Sequence, residues 1–521
     1  MSTETLIKPT EEMLTQASTF HTFPLPHQSS FAPEVFIHRS EIPSYVLAAE
    51  ANTYGWDTVN CIRLPIVNEV LKKSQQFPAH LEMTIDESTG WSIAADFDAW
   101  QVAQGGSGAI LMMKLPLKSA AMNYSAGENN QKTLNITNGY ALISIKLRYL
   151  PQASPARAAG DNPLEIEQLL SDPFPRSSDD PAVVVQKIDY GSATPDEVAK
   201  SLFVAAFSLL MTDNLDKFTH IFAVVNLNAK AAHEEYLWLK PTYTSYAYFQ
   251  GLDEKSSYFA VLNQTEGRST DGLTNQAPGS AIPADCDAAI LISLPLFLQK
   301  VMLPGMTRAF TQAPADAFIV KNLGQVIENT QRVKMNSVKV AGSNYTPYLD
   351  ELVLQVVGDE LQMQTRVSIN ISPGIDAYVN ATYYNAIGLV QKPDLTYTLD
   401  FEQSRDPIIE SYYKVAPGVI ITQIIVGMIG TIIGAVVYEV LKEGVMRVII
   451  VALITIVSGV AAATPTIIAE AVKEGLTSVL PGIGPLVNDA TDPVQWPSSS
   501  GFSIKTAELN GSFQMGGTLL K

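Results

Sequence analysis

The sequence predicts an α+β fold in which a curved antiparallel sheet, wet on one face and apolar on the other, wraps buried helices, with an apolar helical insertion near the C-terminus. Three observations predict it. The first is alternation. Ala141, Ile143, Ile145, Leu147 and Tyr149 share one strand face, against Ser144, Lys146 and Arg148 on the other. Leu361, Met363, Thr365, Val367, Ile369 and Ile371 oppose Gln362, Gln364, Arg366, Ser368 and Asn370, and Leu395, Tyr397, Leu399 and Phe401 oppose Thr396, Thr398 and Asp400. A period of two marks strands with one covered face. The second is a helix from Thr194 to about Met211, apolar nearly all round through Leu202, Phe203, Val204, Phe207, Leu209 and Leu210, as a buried helix is. The third is a pair of uncharged runs, 24 residues over 415–438 and 22 over 448–469.

In chain order, residues 1–50 read as an extended arm with one strand near Val35–His38. The run Tyr54–Leu64 is extended, and Pro65 opens a helix with Ile66, Val67, Val70 and Leu71 on its apolar side. Alternating strands follow from Pro78 to about Tyr149, then a Pro/Ser/Asp-rich linker from Pro151 to Asp180 and a strand at Ala182–Ile188. Thr194, Pro195 and Glu197 read as a capping box that starts the apolar helix. Strands are expected at Phe218–Leu227, Tyr236–Phe249 and Tyr258–Asn263, and a helix at Pro295–Met302. Strands at Phe502–Leu509 and Ser512–Leu520 close the chain. The domain reading is therefore an arm (1–50), a β-rich body (51–414), an apolar helical hairpin (415–490) and closing strands (491–521) that rejoin the body.

Each uncharged run exceeds the ~20 residues that span a bilayer. The charges between them, Glu439, Lys442, Glu443 and Arg447, sum to zero, so no positive-inside asymmetry orients a membrane hairpin. Pro465 interrupts the second run, and strand-like sequence resumes beyond it. The expectation is two helices packed against the sheet or against a second copy of the chain. Gly430 and Gly434 form a GxxxG pair suited to close helix approach.

The chain has 521 residues, of which 46% are hydrophobic and only 17% charged. That excludes disorder. The net charge of −18 repels phosphates, so nucleic acid is not an expected partner. Two distant cysteines, Cys61 and Cys286, suggest neither a bridge nor a metal site. The N-terminal Met1–Thr5 lacks a basic and an apolar region, so the expectation is cytoplasmic synthesis without a signal peptide and release, if any, by a non-classical route.

Chemistry finds little support. The six histidines, His21, His27, His38, His80, His220 and His233, show no metal-ligand spacing, and no GxSxG elbow occurs. Gly105-Gly106-Ser107-Gly108 lacks the lysine of a phosphate loop and reads as a β-turn, and Asp96 and Asp98 read as solvated strand charges. No enzyme, cofactor or metal is expected.

One string is distinctive: Asn52-Thr53-Tyr54-Gly55-Trp56-Asp57-Thr58-Val59, followed by Val67-Asn68. Further on stand Leu239–Tyr248, Phe259–Leu262, Leu291-Ile292-Ser293, Phe297-Leu298, Leu303-Pro304, Ser372–Ile375 and Leu509–Ser512. In this order they resemble the clostridial forty-seven-kilodalton family, accessory proteins encoded beside botulinum-type neurotoxins in OrfX-type clusters and members of the tubular lipid-binding (TULIP) superfamily. The resemblance covers about 50–521; the arm before it has no family counterpart. Tyr54, Gly55, Trp56 and Asp57 carry the family motif, with Trp56 read as a core anchor and Asp57 as a turn or cap residue.

The resemblance implies an elongated TULIP-like body in which a long twisted antiparallel sheet wraps helices and holds a lipid in an apolar groove. An acyl chain there gains ~0.8 kcal/mol per buried CH₂. The inward-facing residues expected to line the groove are Ile143, Ile145, Leu147, Phe203, Phe207, Met363, Val367, Tyr397 and Leu399. The implied function is non-enzymatic binding of a lipid or other hydrophobic ligand within a toxin-associated gene cluster. Two alternatives stand beside it: a membrane-inserting toxin component using 415–470, and an assembly factor with a vestigial groove that docks proteins. The partners to weigh are a lipid or fatty-acyl ligand, a membrane, other proteins of the cluster or a toxin, and a second copy of the chain.

Overall fold

The computed structural model describes residues 21–24, 50–125, 130–151, 166–174, 181–227 and 233–520. The expected Val35–His38 strand lies outside them. The fold is α+β, and the sheets are mostly antiparallel. The chain forms two compact units. One holds 51–291, 487–505 and 515–521; the other holds 1–50, 292–486 and 506–514. The stretch 51–414 is thus shared between them.

In the first unit, one sheet orders Val183–Asp189, Gln131–Ile145, Ile110–Ser125, Trp91–Phe97 and His80–Asp86, with Gln101–Ser107 also on Ile110–Ser125. Gly105 and Gly106 lie in Gln101–Ser107, where its register with the next strand shifts. The alternation at 141–145 is as read: Ile143 and Ile145 are buried and Ser144 is half-exposed. The strand breaks at Lys146, however. The Leu147 amide donates to the Tyr246 hydroxyl (2.8 Å) instead of to a neighbouring strand. Leu147–Pro151 then joins a second sheet with Ile166–Ser171, Ala223–Asn226 and Val494–Gln495. The expected linker therefore contains a strand, and Tyr149 is only half-buried.

Helix α1 (Leu64–Ser74) opens at Pro65 as expected and buries Leu64, Val67 and Leu71. Helix α2 (Glu197–Asn214) is capped by Asp196, whose carboxylate accepts from the Ala199 amide at 2.8 Å; the capping-box reading that gave this role to Thr194 is corrected. It buries Ala199, Phe203, Ala206, Phe207, Leu210 and Met211 but leaves Val198, Val204 and Leu209 exposed, so it is covered on one side and not all round. Residues 234–239 form a 3₁₀ turn, and the expected strand starts only at Pro241.

A third sheet orders Pro241–Phe249, Tyr258–Thr265, Thr58–Arg63, Ala288–Ser293, Ser512–Leu520 and Gly501–Leu509. All eight residues of Tyr258–Thr265 are buried. Tyr258, Ala260 and Leu262 pack with Trp56, Val59 and Cys61 on one face. Phe259 and Val261 join Ile62, Phe203, Phe207 and Trp100 on the other. His220 is sealed in this second core. It stands edge-on to Phe222 at 4.9 Å and stacks on Phe218 at 6.2 Å. Burial pushes its imidazole down to about 4.

In the second unit, a nine-stranded sheet orders His21–Pro24, Ile408–Val415, Ile375–Gln391, Glu360–Ser372, Pro347–Val357, Val326–Asn329 and Phe318–Lys321. Val333–Lys334 also pairs with Pro347–Val357, and Tyr397–Gln403 with Ile375–Gln391. Met363 and Val367 are buried as read, but so are Gln364 and Ser368 on the opposite face. Both take part in hydrogen bonds there. Gln364 and Gln355 both donate to the Gln362 carbonyl (3.3 and 2.7 Å), and Arg332 donates to the Ser368 hydroxyl at 2.6 Å. Tyr397 is not inward. It is 38% exposed, while its neighbours Thr398 and Leu399 are both sealed. A tight turn closes at Lys392–Leu395 with Leu395 left-handed (φ 67°), so the strand begins only at Tyr397 and its first residue stays wet.

Beside this sheet lie α3 (Leu294–Phe297), a π-helical turn (Leu298–Met302) and α4 (Leu303–Ala309), longer than the expected Pro295–Met302. The expected hairpin is instead one continuous helix of 36 residues, Gln423–Ser458. It comprises α5 (Gln423–Ala435), a π-helical turn (Val436–Leu441) and α6 (Lys442–Ser458). The charges read as a hairpin turn lie on the helix itself, where Arg447 bonds Glu443 one turn away at 2.7 Å. The chain reverses only after Gly459, where Arg308 donates to the carbonyls of Val460 and Ala463. Helix α7 (Pro465–Glu474) follows, capped by the Thr464 hydroxyl at 3.3 Å. Close helix approach occurs at Gly305, where an added Cβ would stand 2.9 Å from Val451. Gly430 and Gly434 face open space.

Two outcomes follow for stability. Val448–Val457 is buried on every side of α6, whereas Ile424 on α5 is 69% exposed. Ile454→Arg should cost more than about 4 kcal/mol and abolish soluble expression, and Ile424→Arg should fold normally; equal yields from both would contradict this packing. His220 is neutral in the fold and titrates near 6.5 when unfolded. Its contribution is complete above about pH 6.5 and is lost as pH falls toward the folded value, roughly 3 kcal/mol in all. Melting temperature across that window should fall further in the wild type than in His220→Phe; parallel curves would refute the assignment.

Candidate functional site

The nine residues expected to line a groove divide between the two units. Ile143, Ile145, Leu147, Phe203 and Phe207 belong to the core of the first unit. Met363, Val367 and Leu399 are sealed in the second, and Tyr397 lies at its surface. Phe203 and Phe207 stack at 5.8 Å, and Phe207 meets Phe97 at 6.3 Å. These rings fill the space under the sheet against which α2 packs.

The motif Tyr54–Asp57 forms the turn that launches the central strand. Tyr54 and Gly55 both have positive φ (52° and 91°), and a Cβ on Gly55 would strike Leu273 at 2.9 Å. The Trp56 indole donates to the Thr274 carbonyl at 2.9 Å. The buried Asp57 carboxylate accepts from the Thr265 amide (2.8 Å), the Thr265 hydroxyl (3.0 Å) and Arg268 (2.7 Å). Both carboxylate oxygens are engaged in holding the loop to the sheet, so the motif anchors structure.

Among the remaining polar groups, His80 bonds Asp96 at 2.7 Å on an exposed strand pair, and Asp96 also accepts from Ser119 at 2.6 Å. These bonds hold the Asp96 carboxyl below its ordinary range. His233 bonds the buried Asp489 at 2.6 Å. Cys61 and Cys286 are free thiols, both buried. Burial pushes the Cys61 thiol far up, out of reach of the thiolate form.

Two features escaped the sequence reading. The first is the open side of α5. Gln423, Ile424, Gly427, Gly430, Thr431, Gly434 and Tyr438 all face solvent, and Tyr438 is 73% exposed. Ile420, just before the helix, is exposed too. Among the described residues, nothing beyond the helix's own backbone lies within 4 Å of a Cβ built on Gly427, Gly430 or Gly434. The spacing of these small residues was visible in sequence, but not which side they face. The second is a cavity of about 220 Å³ in the first unit, bounded by Asn60 and Ala288–Ile290 below and by residues 491–502 above. A smaller one of about 110 Å³ lies between Ile66, Val70, Leu519 and Leu520. Neither is lined by any of the nine expected residues. Asn60 did carry a signal, as the lone amide in Val59-Asn60-Cys61-Ile62.

Comparison with known proteins agrees with the motif order. The OrfX-like family, "Protein OrfX2/OrfX3/P47", matches residues 53–517. OrfX3 of Paraclostridium bifermentans is 25% identical over 499 residues, covering 90% of this chain and 99% of the relative. P47 of Clostridium botulinum (strain Kyoto / Type A2) is 24% identical over 379 residues, covering 71% of this chain and 85% of the relative. The solved structure of P47 from Clostridium botulinum A2 superposes with a TM-score of 0.59 at 19% identity, over 90% of this chain and 99% of that one. The chain therefore belongs to the OrfX-like family of OrfX2, OrfX3 and P47, accessory proteins of botulinum neurotoxin gene clusters.

Proposed function

We propose that this accessory protein is non-enzymatic and binds lipid, and that it does so at the open apolar side of α5 and not in an interior groove. The observation that carries the reading is the exposure of Ile420, Ile424 and Tyr438 along a segment without a single charge from 415 to 438. Water-exposed isoleucine gains about 1.5–3 kcal/mol on full burial. Tyr438 places a ring with a polar tip at the end of the open face, as interfacial aromatics do. Lys442 stands over that ring at 5.4 Å, a cation within reach of a headgroup. The interior positions support the same relocation, because Phe203, Phe207, Ile143 and Val367 have no exposed surface left to offer. Synthesis in a cytoplasm and release by a non-classical route remain part of this proposal.

A second reading has its own observation. Three open glycines at i, i+3 and i+7 make a flat strip on which a helix of another cluster protein, or of a second copy, can lie close. One experiment separates the two. The full chain should float with phosphatidylcholine vesicles, and Ile424→Asp should reduce the bound fraction about tenfold or more. Gly430→Leu should strengthen vesicle binding by adding apolar surface, whereas it would block a close helix partner. A wild type that stays with the pellet at every vesicle concentration would overturn the lipid reading.

A further inference from the structure

The cavity of about 220 Å³ in the first unit has a chemistry unlike the apolar face of α5. Its floor is the central sheet, and there Asn60 is only 4% exposed. The Asn60 side chain has no hydrogen-bond partner among the described residues, and its polar atoms open into the cavity. Its strand partner is Val261, and Ile62 follows on the same face, so apolar side chains flank it. Above it lies Trp496, 8% exposed, fixed edge-on to Phe259 at 6.2 Å and 78°. The indole N–H of Trp496 also has no partner among the described residues. Phe502, Ser500 and Asp492 also line the wall. Burial, and then the neighbouring Asp489 carboxylate, raise the Asp492 carboxyl above its ordinary range.

From this arrangement we infer that the cavity is a binding site for a single neutral sugar ring. Three features narrow the ligand class. Among the described residues no lysine or arginine lines the cavity and the charged one is the acid Asp492, so phosphates and carboxylates are repelled. A lone buried amide offers both a donor and an acceptor, and a hydroxyl satisfies both where a quaternary ammonium satisfies neither. Two aromatic rings beside polar groups suit a ligand with an apolar C–H face and a hydroxylated edge. The volume lies below the ~300 Å³ at which pockets for drug-sized molecules begin, which limits the occupant to one ring. That ring is either a free monosaccharide or the terminal residue of a glycan. The inference does not rest on lipid binding by α5.

The test uses the full chain. Saturation-transfer NMR with glucose, galactose, mannose and N-acetylglucosamine reports the free sugars, and a printed glycan array reports terminal residues. Binding in either format is expected, and the format that responds identifies the source. Asn60→Leu should weaken binding about tenfold or more while leaving the melting temperature equal or higher, because it removes an unpaired buried amide. Asp492→Asn, a near-isosteric change in the cavity wall outside the packed core, should weaken it in the same direction. Vesicle flotation should be unchanged in both variants. A folded wild type silent toward all four sugars and the array overturns the inference, as does binding that survives both substitutions.

Discussion

Elements that are apolar on both sides must be covered on both sides, and this constraint organises each unit. The strand Tyr258–Thr265 has no wet face. One side is closed by the loop that Trp56 and Asp57 pin in place, the other by the aromatic core that α2 completes. If the Asp57–Thr265 bonds were lost, the Trp56 side of the sheet would face water, and a surface of that size drives association. In the second unit the same demand falls on α6, whose ten residues Val448–Val457 are sealed on all sides. Gly305 exists in that role: only a residue without a Cβ lets α4 close over Val451.

Several polar groups inside these cores are bonded in sets. Gln355, Gln362 and Gln364 share bonds across two strands, and Arg332 completes Ser368. Asn60 belongs to no such set. A fold that satisfies Asp57 with three donors leaves an amide three residues later without one. The contrast separates a polar residue that holds the structure from one that the structure holds ready.

The legible parts of the fold were those where a single face decides. Ile143, Ile145, Met363 and Val367 alternate with polar neighbours, and their burial follows from period alone. The family motif was legible because glycine, tryptophan and aspartate at fixed offsets serve one strained turn. What failed was whatever depended on a second layer. Gln364 reads as wet until Gln362 is placed beside it, and Val204 and Leu209 read as buried until α2 is seen to be covered from one side. Glu443 and Arg447 look like the charges of a loop, yet one helical turn apart they pair and let the helix run on. The site suffered most, because a groove is defined by what is missing between elements, and sequence specifies only what is present.

The π-helical turn Val436–Leu441 stands between the half-open α5 and the sealed α6. Such a turn accommodates one residue more than an α-helical turn, and each residue rotates the helix by about 100°. It therefore works as a phase shifter. Deleting one residue there would re-aim all thirteen residues of α5 while leaving α6 in its socket. A single-codon insertion or deletion could thus turn the glycine strip toward or away from solvent, so lineages of this family can exchange a hidden helix face for an offered one without rebuilding either sheet.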